Sequence, residues 1–435
     1  MLILFTIGVL LYTLGVGIAA LLGNTKAKLW IKGRRKQMKE LKFLRWRIFK
    51  KKTSTENDGD WIWFHAASLG EFEQGRPVIE AIKRDFPHYK ILLSFFSPSG
   101  YEVRKDYPLA DEVLYLPSDT ALNAKKWLDR HHFVAAFFIK YEFWFNYMKA
   151  LKKRRIPLFY ISLIFKPDSY FFKSYGRWLR MQLTAVTHFF VQDETTERLL
   201  LESGFNNVTL CGDTRFDRVA AIALQAKQFL EVERFVNGRQ CIIAGSTWPP
   251  DEDLLSSFIS KMPEDYCIIL APHDVSETHI AQIKGMFPEA ILYSELADSS
   301  HAVAKPNVSM GGNLNKNILL INTIGILSQL YQYARFVYIG GGFGVGIHNI
   351  QEPVAFGCPV VFGPNHKGFK EAVDLVEREG AFCVNNASEL ERVFGSLMND
   401  ADVFAKSSST CRDYLQSQLG ATEKVLDGFK KVLFC

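Results

Sequence analysis

Residues 61–71 read WIWFHAASLGE, and this stretch indicates how the main body of the chain folds. Its first four residues, 61–64, are an apolar run rich in side chains that favour strands, and polar residues and a glycine follow. The pattern predicts a strand that is buried on both faces. Because ligands of open α/β folds bind at the carboxyl ends of strands, we expect the segment HAASLGE, residues 65–71, to lie at a ligand-binding edge.

Similar apolar runs recur through the first half of the body and are separated by segments with the period of a helix. The predicted strands are 61–64, 91–96, 112–116, 134–139, 158–161, 188–191 and 208–210. Predicted crossover helices include 77–86, 123–130, 145–154 and 195–203. Strands that alternate with helices in this way predict a parallel sheet with helices on both sides, so the first half is expected to be Rossmann-like.

A polar, helix-prone stretch at 216–238 interrupts the alternation, and a second series of strands follows it. The predicted strands of this series are 241–244, 267–271, 290–292, 318–321, 336–339 and 360–362. A chain of 435 residues is also longer than the roughly 250–300 residues that one core usually supports. We therefore expect an α/β protein with two Rossmann-like doubly wound domains that face a central cleft.

The expected organisation has six parts. They are an N-terminal membrane anchor (1–25), a basic membrane-surface segment (26–52), a first Rossmann-like domain (53–217), a linker (218–238), a second Rossmann-like domain (239–401) and C-terminal helices (402–435).

The positive charge of the chain is concentrated in one short segment. The chain has 52 Lys and Arg against 46 Asp and Glu, but residues 26–52 alone hold 13 basic side chains and one acidic one, Glu40. Residues 1–25 carry no charged side chain, so 39 basic and 45 acidic side chains are left for the body. A mildly acidic body argues against nucleic acid as a partner.

Residues 1–22 form an unbroken run of apolar and small residues. At about 1.5 Å per residue, a helix of this length nearly crosses a ~30 Å hydrocarbon layer. The positive charges follow the run, whereas a cleaved secretory signal has them in front, and such charges stay on the cytoplasmic side. We expect membrane attachment with a cytoplasmic body and contact with anionic lipids. The alternative is a helix packed on the protein itself.

Four common site patterns are missing from the sequence. The seven cysteines form no CxxC pair and the ten histidines no HExxH motif, so we expect free thiols and no metal site. The glycine run at 340–346 fits neither GxGxxG nor GxxxxGK[ST], which argues against a nicotinamide oxidoreductase and a P-loop enzyme. Its glycines would still let a ligand approach the backbone, where free N–H groups at a helix start can hold an anion.

Two acidic residues follow predicted strands of the first half. Glu71 could act as a general base toward a sugar hydroxyl, but Ser68 and Glu71 also match the S-x-x-E capping box. Glu142, beside Tyr141 and Trp144, could bind carbohydrate or could balance the dipole of a helix.

In the second half, the segment GIHNIQEP at 346–353 places Asn349 and Glu352 at a helix start. Glu352 could bind ribose hydroxyls, although the spacing of the two residues also fits a helix cap. The segment GPNHKGFKE at 363–371 adds Lys370, whose charge could face an anionic ligand.

Taken together, these motifs resemble the Kdo (3-deoxy-D-manno-octulosonic acid) transferases of lipopolysaccharide synthesis, which are GT-B glycosyltransferases of the inner membrane. The resemblance runs nearly end to end. It rests on the apolar N-terminal run and on HAASLGE (65–71), YEFWFN (141–146), GDTRFD (212–217), AGST (244–247), GIHNIQEP and GPNHKGFKE. It implies transfer of Kdo from CMP-Kdo to the lipid A precursor lipid IVA, with inversion, without a metal or other cofactor, at the cytoplasmic face of the inner membrane.

The resemblance also implies roles for individual residues. Glu71 matches the catalytic base, and Ser68, Gly70 and Glu142 would bind the acceptor. The residues expected to bind CMP are Pro272, His273, Ile324, Gly325, Ile326, Asn349, Ile350, Gln351 and Glu352. Ser246, Thr247 and Lys370 would contact the donor phosphate. Where many members have Pro-Arg-His, this chain has Pro272, His273 and Asp274.

Two other functions remain open from the sequence. A GT-B transferase that uses another nucleotide sugar would keep the same cleft. A membrane-tethered binding protein could keep the fold without catalysis, although Glu71 and Glu142 together argue for chemistry.

Overall fold

A computed structural model describes residues 1–50, 59–296 and 317–434, with the side chains of residues 38–50 excepted. Residues 51–58, which include the end of the expected basic segment, and residues 297–316 of the expected second domain lie outside this description. The N-terminal run forms helix α1 (Leu2–Leu21), and the basic segment lies mostly in helix α2 (Thr25–Lys50). The two helices are joined at Gly23, whose φ of +101° suits a glycine.

Seven parallel strands form the first sheet, as the alternation predicted. They are β1 (Asp60–Ala66), β2 (Lys90–Phe95), β3 (Glu112–Tyr115), β4 (His132–Ile139), β5 (Leu158–Leu163), β6 (His188–Val191) and β7 (Val208–Leu210). Their order is β3-β2-β1-β4-β5-β6-β7. The helices described among them are α3 (Leu69–Asp85), α4 (Pro98–Arg104), α5 (Ala121–Leu128), α6 (Phe145–Lys153), α7 (Arg177–Leu183) and α8 (Glu194–Glu202).

Both faces of the first sheet are buried, which explains the continuous apolar runs. On one face Trp63, Phe138 and Tyr160 belong to one core cluster, and on the other Phe64 and Phe137 belong to a second. Helix α3 begins at Leu69 rather than at residue 77, because its cap is Ser68 and Pro77 is accommodated inside the helix.

The second sheet is also parallel, and it has seven strands among the described residues. They are β8 (Gln240–Thr247), β9 (Tyr266–Pro272), β10 (Ile291–Leu292), β11 (Ile318–Leu320), β12 (Phe336–Ile339), β13 (Val360–Phe362) and β14 (Ala381–Cys383). Their order is β10-β11-β9-β8-β12-β13-β14. Strand β14 was not predicted, because its residues Ala381, Phe382 and Cys383 include no β-branched side chain that would mark them as a strand.

Helices α9 (Arg215–Leu224) and α10 (Leu230–Val236) occupy most of the polar stretch before the second sheet. The remaining helices described are α11 (Pro249–Ile259), α12 (Glu277–Met286), α13 (Leu327–Leu330), α14 (Gln351–Ala355), α15 (Lys370–Glu377), α16 (Ala387–Asn399), α17 (Ala401–Gln418) and α18 (Ala421–Phe434). The alternation of strands and helices therefore gives two doubly wound α/β sheets.

The chain divides into two compact units, 1–217 with 420–435 and 218–419. The residues expected as C-terminal helices, 402–435, are thus shared between the units. Helix α18 belongs to the first unit, where Val425 and Phe429 join a core cluster of the first sheet. Asp217 holds its start by accepting hydrogen bonds from the backbone N–H groups of Gly420 at 2.7 Å and Thr422 at 2.6 Å.

Candidate active site

Glu71 lies in the first turn of α3, directly after β1. Its Oε2 accepts a hydrogen bond from the backbone N–H of Ser68 at 3.1 Å, and the Ser68 hydroxyl donates to the same oxygen. The capping alternative raised by the sequence is therefore realised in the structure. A carboxylate has a second oxygen, however, so this cap leaves Oε1 available to accept a proton. Gly70 lies beside the pair and is exposed.

Tyr141 lies close enough to Glu71 for the two groups to interact. Burial, together with the carboxylates of Asp193 and Glu71, raises the pKa of the Tyr141 hydroxyl. Tyr141 follows β4, the neighbour of β1, and it is 46% exposed. The adjacent strand ends thus bring an accessible hydroxyl and a carboxylate to one edge of the sheet, where polar side chains can meet a sugar.

Glu142 is held by two side-chain hydrogen bonds at the same edge. Its Oε2 accepts from Trp144 Nε1 at 2.7 Å and lies 3.1 Å from His65 Nε2. His65 is fully buried, whereas the Glu142 side chain is 13% exposed. The carboxylate is therefore fixed in orientation but still reaches the surface.

A buried chain of hydrogen bonds continues from His65 into the sheet. Trp63 Nε1 donates to Ser94 Oγ at 2.7 Å, and Ser94 Oγ lies 2.8 Å from His65 Nδ1. When Ser94 donates to Nδ1, a neutral imidazole places its proton on Nε2 and donates it to Glu142. When the imidazole is charged, Nδ1–H can donate to the Ser94 carbonyl oxygen, 3.1 Å away. Each ring nitrogen of His65 therefore has a hydrogen-bond partner.

The sequence analysis did not identify His65 and Ser94 as site residues. His65 stands within the quoted HAASLGE motif, but its partner Ser94 lies on β2 and Glu142 follows β4. A polar residue inside an otherwise apolar strand was the available signal, since a buried polar side chain needs a partner.

The motif GDTRFD at 212–217 maintains the structure of the first unit. Asp213 is 4% exposed, and its carboxylate accepts from Arg215 Nε at 2.9 Å and from Gln192 Nε2 at 2.5 Å. Asp217 caps α18, as described above. These contacts account for both acids of the motif by packing alone.

The candidate donor residues all follow carboxyl ends of neighbouring strands in the second sheet. Ser246 and Thr247 end β8, and Pro272 ends β9. The other candidates come after three further strands: 324–326 after β11, 349–352 after β12 and Lys370 after β13. Because β11, β9, β8, β12 and β13 are consecutive in the sheet, the topology brings all of them to one edge.

Three aromatic rings stack at this edge. The His273 ring stacks on both Trp248 and His348, with centroid distances of 4.7 and 4.4 Å, and the rings of Trp248 and His348 are 6.3 Å apart. Trp248 Nε1 donates to His348 Nε2 at 3.0 Å. Burial and the neighbouring His273 lower the pKa of His348, which favours the neutral imidazole that this acceptor role requires. The stack forms a flat, partly exposed surface.

Two of the expected phosphate contacts are engaged elsewhere in the structure. Thr247 is fully buried and donates its hydroxyl to Glu252 Oε1 at 3.0 Å. Lys370 Nζ pairs with Asp374 at 2.5 Å on the surface. Ser246 has a φ of +54°, in the left-handed region.

The remaining donor candidates differ in exposure. Asn349, Ile324 and Gly325 are exposed, and Gly325 has a φ of +95°. Asn349 Oδ1 accepts from the backbone N–H of Gln351 at 2.9 Å, which is the cap that the sequence allowed. Glu352 and Ile326 are partly exposed. The buried candidates are Pro272, Ile350 and Gln351.

The glycine run at 340–346 permits close backbone packing. A Cβ at Gly340 would lie 2.3 Å from the Ser246 carbonyl oxygen, and a Cβ at Gly342 would lie 2.5 Å from the Gly363 nitrogen. Buried Asp251 fixes the run by accepting from the backbone N–H of Gly341 at 2.8 Å. These glycines thus serve the approach of neighbouring protein loops.

Within the described ranges, no group of three or more His, Cys, Asp or Glu side chains is arranged to hold a metal ion. The cysteines described are free, and those at 211, 241, 267, 358 and 411 are buried.

Comparison with known proteins gives a consistent family. Residues 39–218 match the sequence profile of a family described as 3-deoxy-D-manno-octulosonic-acid transferase (kdotransferase). A transferase of that name from Chlamydophila psittaci is 22% identical over 393 residues, which cover 88% of each chain. The Aquifex aeolicus enzyme of the same name is 25% identical and covers 78% of this chain and 86% of its own.

Solved structures are similar in fold. A UDP-GlcNAc 2-epimerase from Neisseria meningitidis, bound to UDP-GlcNAc, matches with a TM-score of 0.60 and 12% identity. The match covers 86% of this chain and the whole of the epimerase chain. At this identity the likeness shows the fold, with its two Rossmann-like units, and no more.

Proposed function

This chain belongs to the 3-deoxy-D-manno-octulosonic acid transferase family, and from that premise we propose that it transfers Kdo from CMP-Kdo to lipid IVA with inversion. The chain is a glycosyltransferase of the GT-B type that acts in lipopolysaccharide synthesis. The observation that carries the proposed mechanism is the Glu71 carboxylate, which lies at the carboxyl end of β1 with one oxygen held by Ser68.

Glu71 serves as the general base. The acceptor hydroxyl gives its proton to Oε1 as its oxygen bonds to the anomeric carbon of Kdo, and the bond from that carbon to the CMP phosphate breaks. The electron pair leaves with CMP. The Ser68 bonds to Oε2 hold the carboxylate in one orientation, so little entropy is lost in positioning the base.

The acceptor lies against Ser68, Gly70 and Glu142 in this proposal. Glu142 is suited to binding a sugar, because a carboxylate fixed by Trp144 and His65 can accept hydrogen bonds from hydroxyl groups at low entropic cost.

The donor lies at the carboxyl edge of the second sheet. Glu352 and Asn349 would bind the ribose, and the turn 324–326 and the exposed side of His273 would contact the rest of CMP. We expect no metal requirement, because CMP, a nucleoside monophosphate, is a good leaving group. Ser246, Thr247 and Lys370 stay candidate phosphate contacts, although Thr247 and Lys370 would have to exchange their present partners.

The proposed location is the cytoplasmic face of the inner membrane, in contact with anionic lipids. Helix α1 is long and apolar enough for a membrane span on length and composition. The basic side chains at the start of α2 would attract anionic headgroups.

The test is transfer itself, with membranes that contain the protein, CMP-Kdo and lipid IVA, and with the product weighed by mass spectrometry. We expect mass increments of Kdo from the wild type, whose number gives the units added, and a rate at least about 100-fold lower from Glu71→Gln, because general-base catalysis contributes about that much or more. Glu80→Gln is the matched control, since it removes a carboxylate of the same helix that only pairs with Arg76 on the surface.

Unchanged transfer by Glu71→Gln would reject the base assignment. No product from the folded wild type would move the assignment to another nucleotide sugar or to a non-catalytic binder. Assays with other nucleotide sugars as donors would distinguish a transferase with another donor from a non-catalytic binder.

A further inference from the structure

A large cavity lies between α1 and α2, apart from the residues assigned above. Its volume is about 1420 Å³. One wall consists of the α1 side chains Leu10, Leu14, Ile18 and Leu21, and the other carries basic side chains of α2. These four apolar side chains are each at least half exposed. The cavity is larger than the roughly 300–1,000 Å³ of usual small-molecule pockets, and its two walls differ in polarity as the two ends of a lipid do.

Arg34 is the central polar group of this cavity. Its Nη2 donates to the carbonyl oxygens of Phe96 at 2.9 Å and Leu116 at 3.1 Å. Its guanidinium stacks over the Trp30 ring at 3.7 Å. Its Nε and Nη1 are buried, and neither has a hydrogen-bond partner in the part of the chain that the structure describes.

Trp30 adds a third buried donor. It is 7% exposed, and its Nε1, like the two Arg34 nitrogens, is without a hydrogen-bond partner among the described residues. Leaving a buried donor unpaired costs about 1–3 kcal/mol, and more when the group is charged. Three such donors in the wall of one cavity indicate that an acceptor belongs there.

The charge around Arg34 specifies an anion. The ionisable groups that act on it are Tyr115, Tyr147 and Tyr12, and no carboxylate is among them. Burial lowers the pKa of Arg34 to about 9. Carboxylate and phosphate both match an arginine, because two of their oxygens can accept parallel hydrogen bonds, and a phosphorylated lipid supplies the phosphate.

The cavity lies at the edge of the first sheet that also carries Glu71, since its lining includes Tyr115 at the end of β3 and Pro117 just after it. Phe96 and Leu116, the backbone partners of Arg34, follow β2 and β3, and Glu71 follows β1. The order β3-β2-β1 makes these strands neighbours. The Phe96 ring also lies 5.1 Å from the Trp144 ring, and Trp144 holds Glu142. An amphiphile whose head occupied this cavity would lie at the same edge of the sheet as the proposed acceptor residues.

We propose that this cavity binds the acceptor lipid by a phosphate group. The phosphate oxygens accept hydrogen bonds from Nε and Nη1 of Arg34 and from Nε1 of Trp30. The acyl chains lie against the leucines and isoleucine of α1. This assignment rests on the proposed function, because it takes the acceptor to be a phosphorylated lipid.

The test measures lipid binding without CMP-Kdo, so that it does not depend on transfer. The full chain in detergent is titrated with lipid IVA, with dephosphorylated lipid IVA, with phosphatidic acid and with inorganic phosphate, and complexes are counted by native mass spectrometry. We expect Arg34→Gln to weaken lipid IVA binding by about 10- to 100-fold, as loss of a charge-assisted hydrogen-bond pair does. Lys26→Gln, on the same helix but outside the cavity wall, should bind as the wild type does.

Trp30→Phe provides a second variant, because it keeps the ring under Arg34 and removes only the N–H donor. We expect it to weaken lipid IVA binding several-fold, while the unfolding midpoint without lipid does not fall, because the N–H that it removes has no partner there. In transfer assays Arg34→Gln should raise KM for lipid IVA at constant kcat, whereas Glu71→Gln should lower kcat and leave lipid IVA binding intact.

Equal binding of lipid IVA by Arg34→Gln, Trp30→Phe and the wild type would overturn the proposal. Equally tight binding of dephosphorylated lipid IVA would overturn the role of the phosphate. Equally tight binding of phosphatidic acid would make this a site for membrane lipid rather than for the acceptor, and equally tight binding of inorganic phosphate would exclude the lipid chains. If lipid IVA binds as expected but no Kdo is transferred, the cavity assignment stands and the proposed function fails.

Discussion

Single buried polar residues determine how the candidate acceptor edge is organised. Glu142 reaches the surface, but its orientation depends on His65, and His65 depends on the Ser94 hydroxyl two strands away from β4. Each donor in this series of hydrogen bonds has an acceptor, so the low dielectric of the interior strengthens the bonds. A change at Ser94 should therefore affect groups that it does not touch.

We expect Ser94→Ala to lower the free energy of unfolding by about 1–3 kcal/mol, because Trp63 Nε1 and His65 Nδ1 lose a buried partner. Urea unfolding of the detergent-solubilised chain measures the change. Ser409→Ala, at an exposed position of α17, is the control and should stay within about 0.5 kcal/mol of the wild type. Equal stability of the two variants would contradict a structural role for the network.

Asp119 makes stability depend on pH. Its side chain is fully buried and accepts hydrogen bonds from the backbone N–H groups of Asn146 and Tyr147 in the first turn of α6. Burial nevertheless raises the pKa of Asp119 to about 7. The native state therefore keeps a proton on Asp119 up to about pH 7, whereas the unfolded chain releases it near pH ~4. Since the native state binds more protons in this window, the stability contributed by Asp119 falls as pH rises from about 4 to 7.

We expect Asp119→Asn to gain stability relative to the wild type between pH 5 and pH 8, by up to about 1.4 kcal/mol per pH unit below pH ~7. The amide keeps one acceptor oxygen for the α6 backbone but never carries a charge. Unfolding in urea at the two pH values measures the difference, and a difference that is independent of pH would refute the raised pKa.

At the scale of elements, helix α18 closes the first unit by packing closely on the sheet. A Cβ at Gly428 would lie 2.4 Å from Cζ of Phe190, which is a fully buried ring on β6. This approach explains a glycine in the middle of a helix, where it otherwise costs about 1 kcal/mol relative to alanine. The helix is placed by this contact and by the Asp217 cap rather than by propensity.

We expect Gly428→Ala to destabilise the protein by about 1–3 kcal/mol, since the Phe190 ring has to move in a packed core. Gly395→Ala is the matched substitution, because Gly395 lies inside α16 with no atom within 4 Å of the added Cβ. It should stabilise the protein by about 0.5–1 kcal/mol. Thermal unfolding of both variants measures the two changes in stability, which should have opposite signs. Changes of the same sign would disprove the packing argument.

At the scale of the whole molecule, α1 determines how the protein meets the membrane. The helix is about 30 Å long at 1.5 Å per residue, but its first half is bound to the body. Phe5 contacts Phe145 at 4.8 Å, Thr6 accepts from Asn146, and the Thr13 and Ser118 hydroxyls are 3.2 Å apart. A segment packed on the folded body does not cross the hydrocarbon layer, so we expect α1 to lie in the membrane interface with its exposed apolar face toward lipid.

An N-terminal epitope tag tests this arrangement. We expect antibody to bind the tag in inside-out vesicles and not in intact spheroplasts, because Met1 should stay on the cytoplasmic side. A tag at Cys435 is the control and should behave in the same way. Binding to the N-terminal tag in intact spheroplasts would mean that α1 spans the membrane.

The sequence by itself determined the α/β class, both series of parallel strands and the apolar and basic N-terminal segments. These features depend on local patterns, because a buried strand needs a continuous apolar run whatever its neighbours are. The position of Glu71 after the first strand followed from the same local pattern. Strand β14 was missed because Ala381, Phe382 and Cys383 carry no β-branched side chain, unlike the equally short strand Val360–Phe362.

Only the tertiary structure decided which polar groups meet. His65 joins Glu142 across 77 residues of sequence, Arg34 reaches the carbonyl oxygen of Leu116 across 82, and Asp217 caps a helix that begins at Ala421. Hydrogen bonds between distant segments leave no periodic trace in the sequence, because any pair of suitable donors and acceptors satisfies them once the sheet has brought its strand ends together.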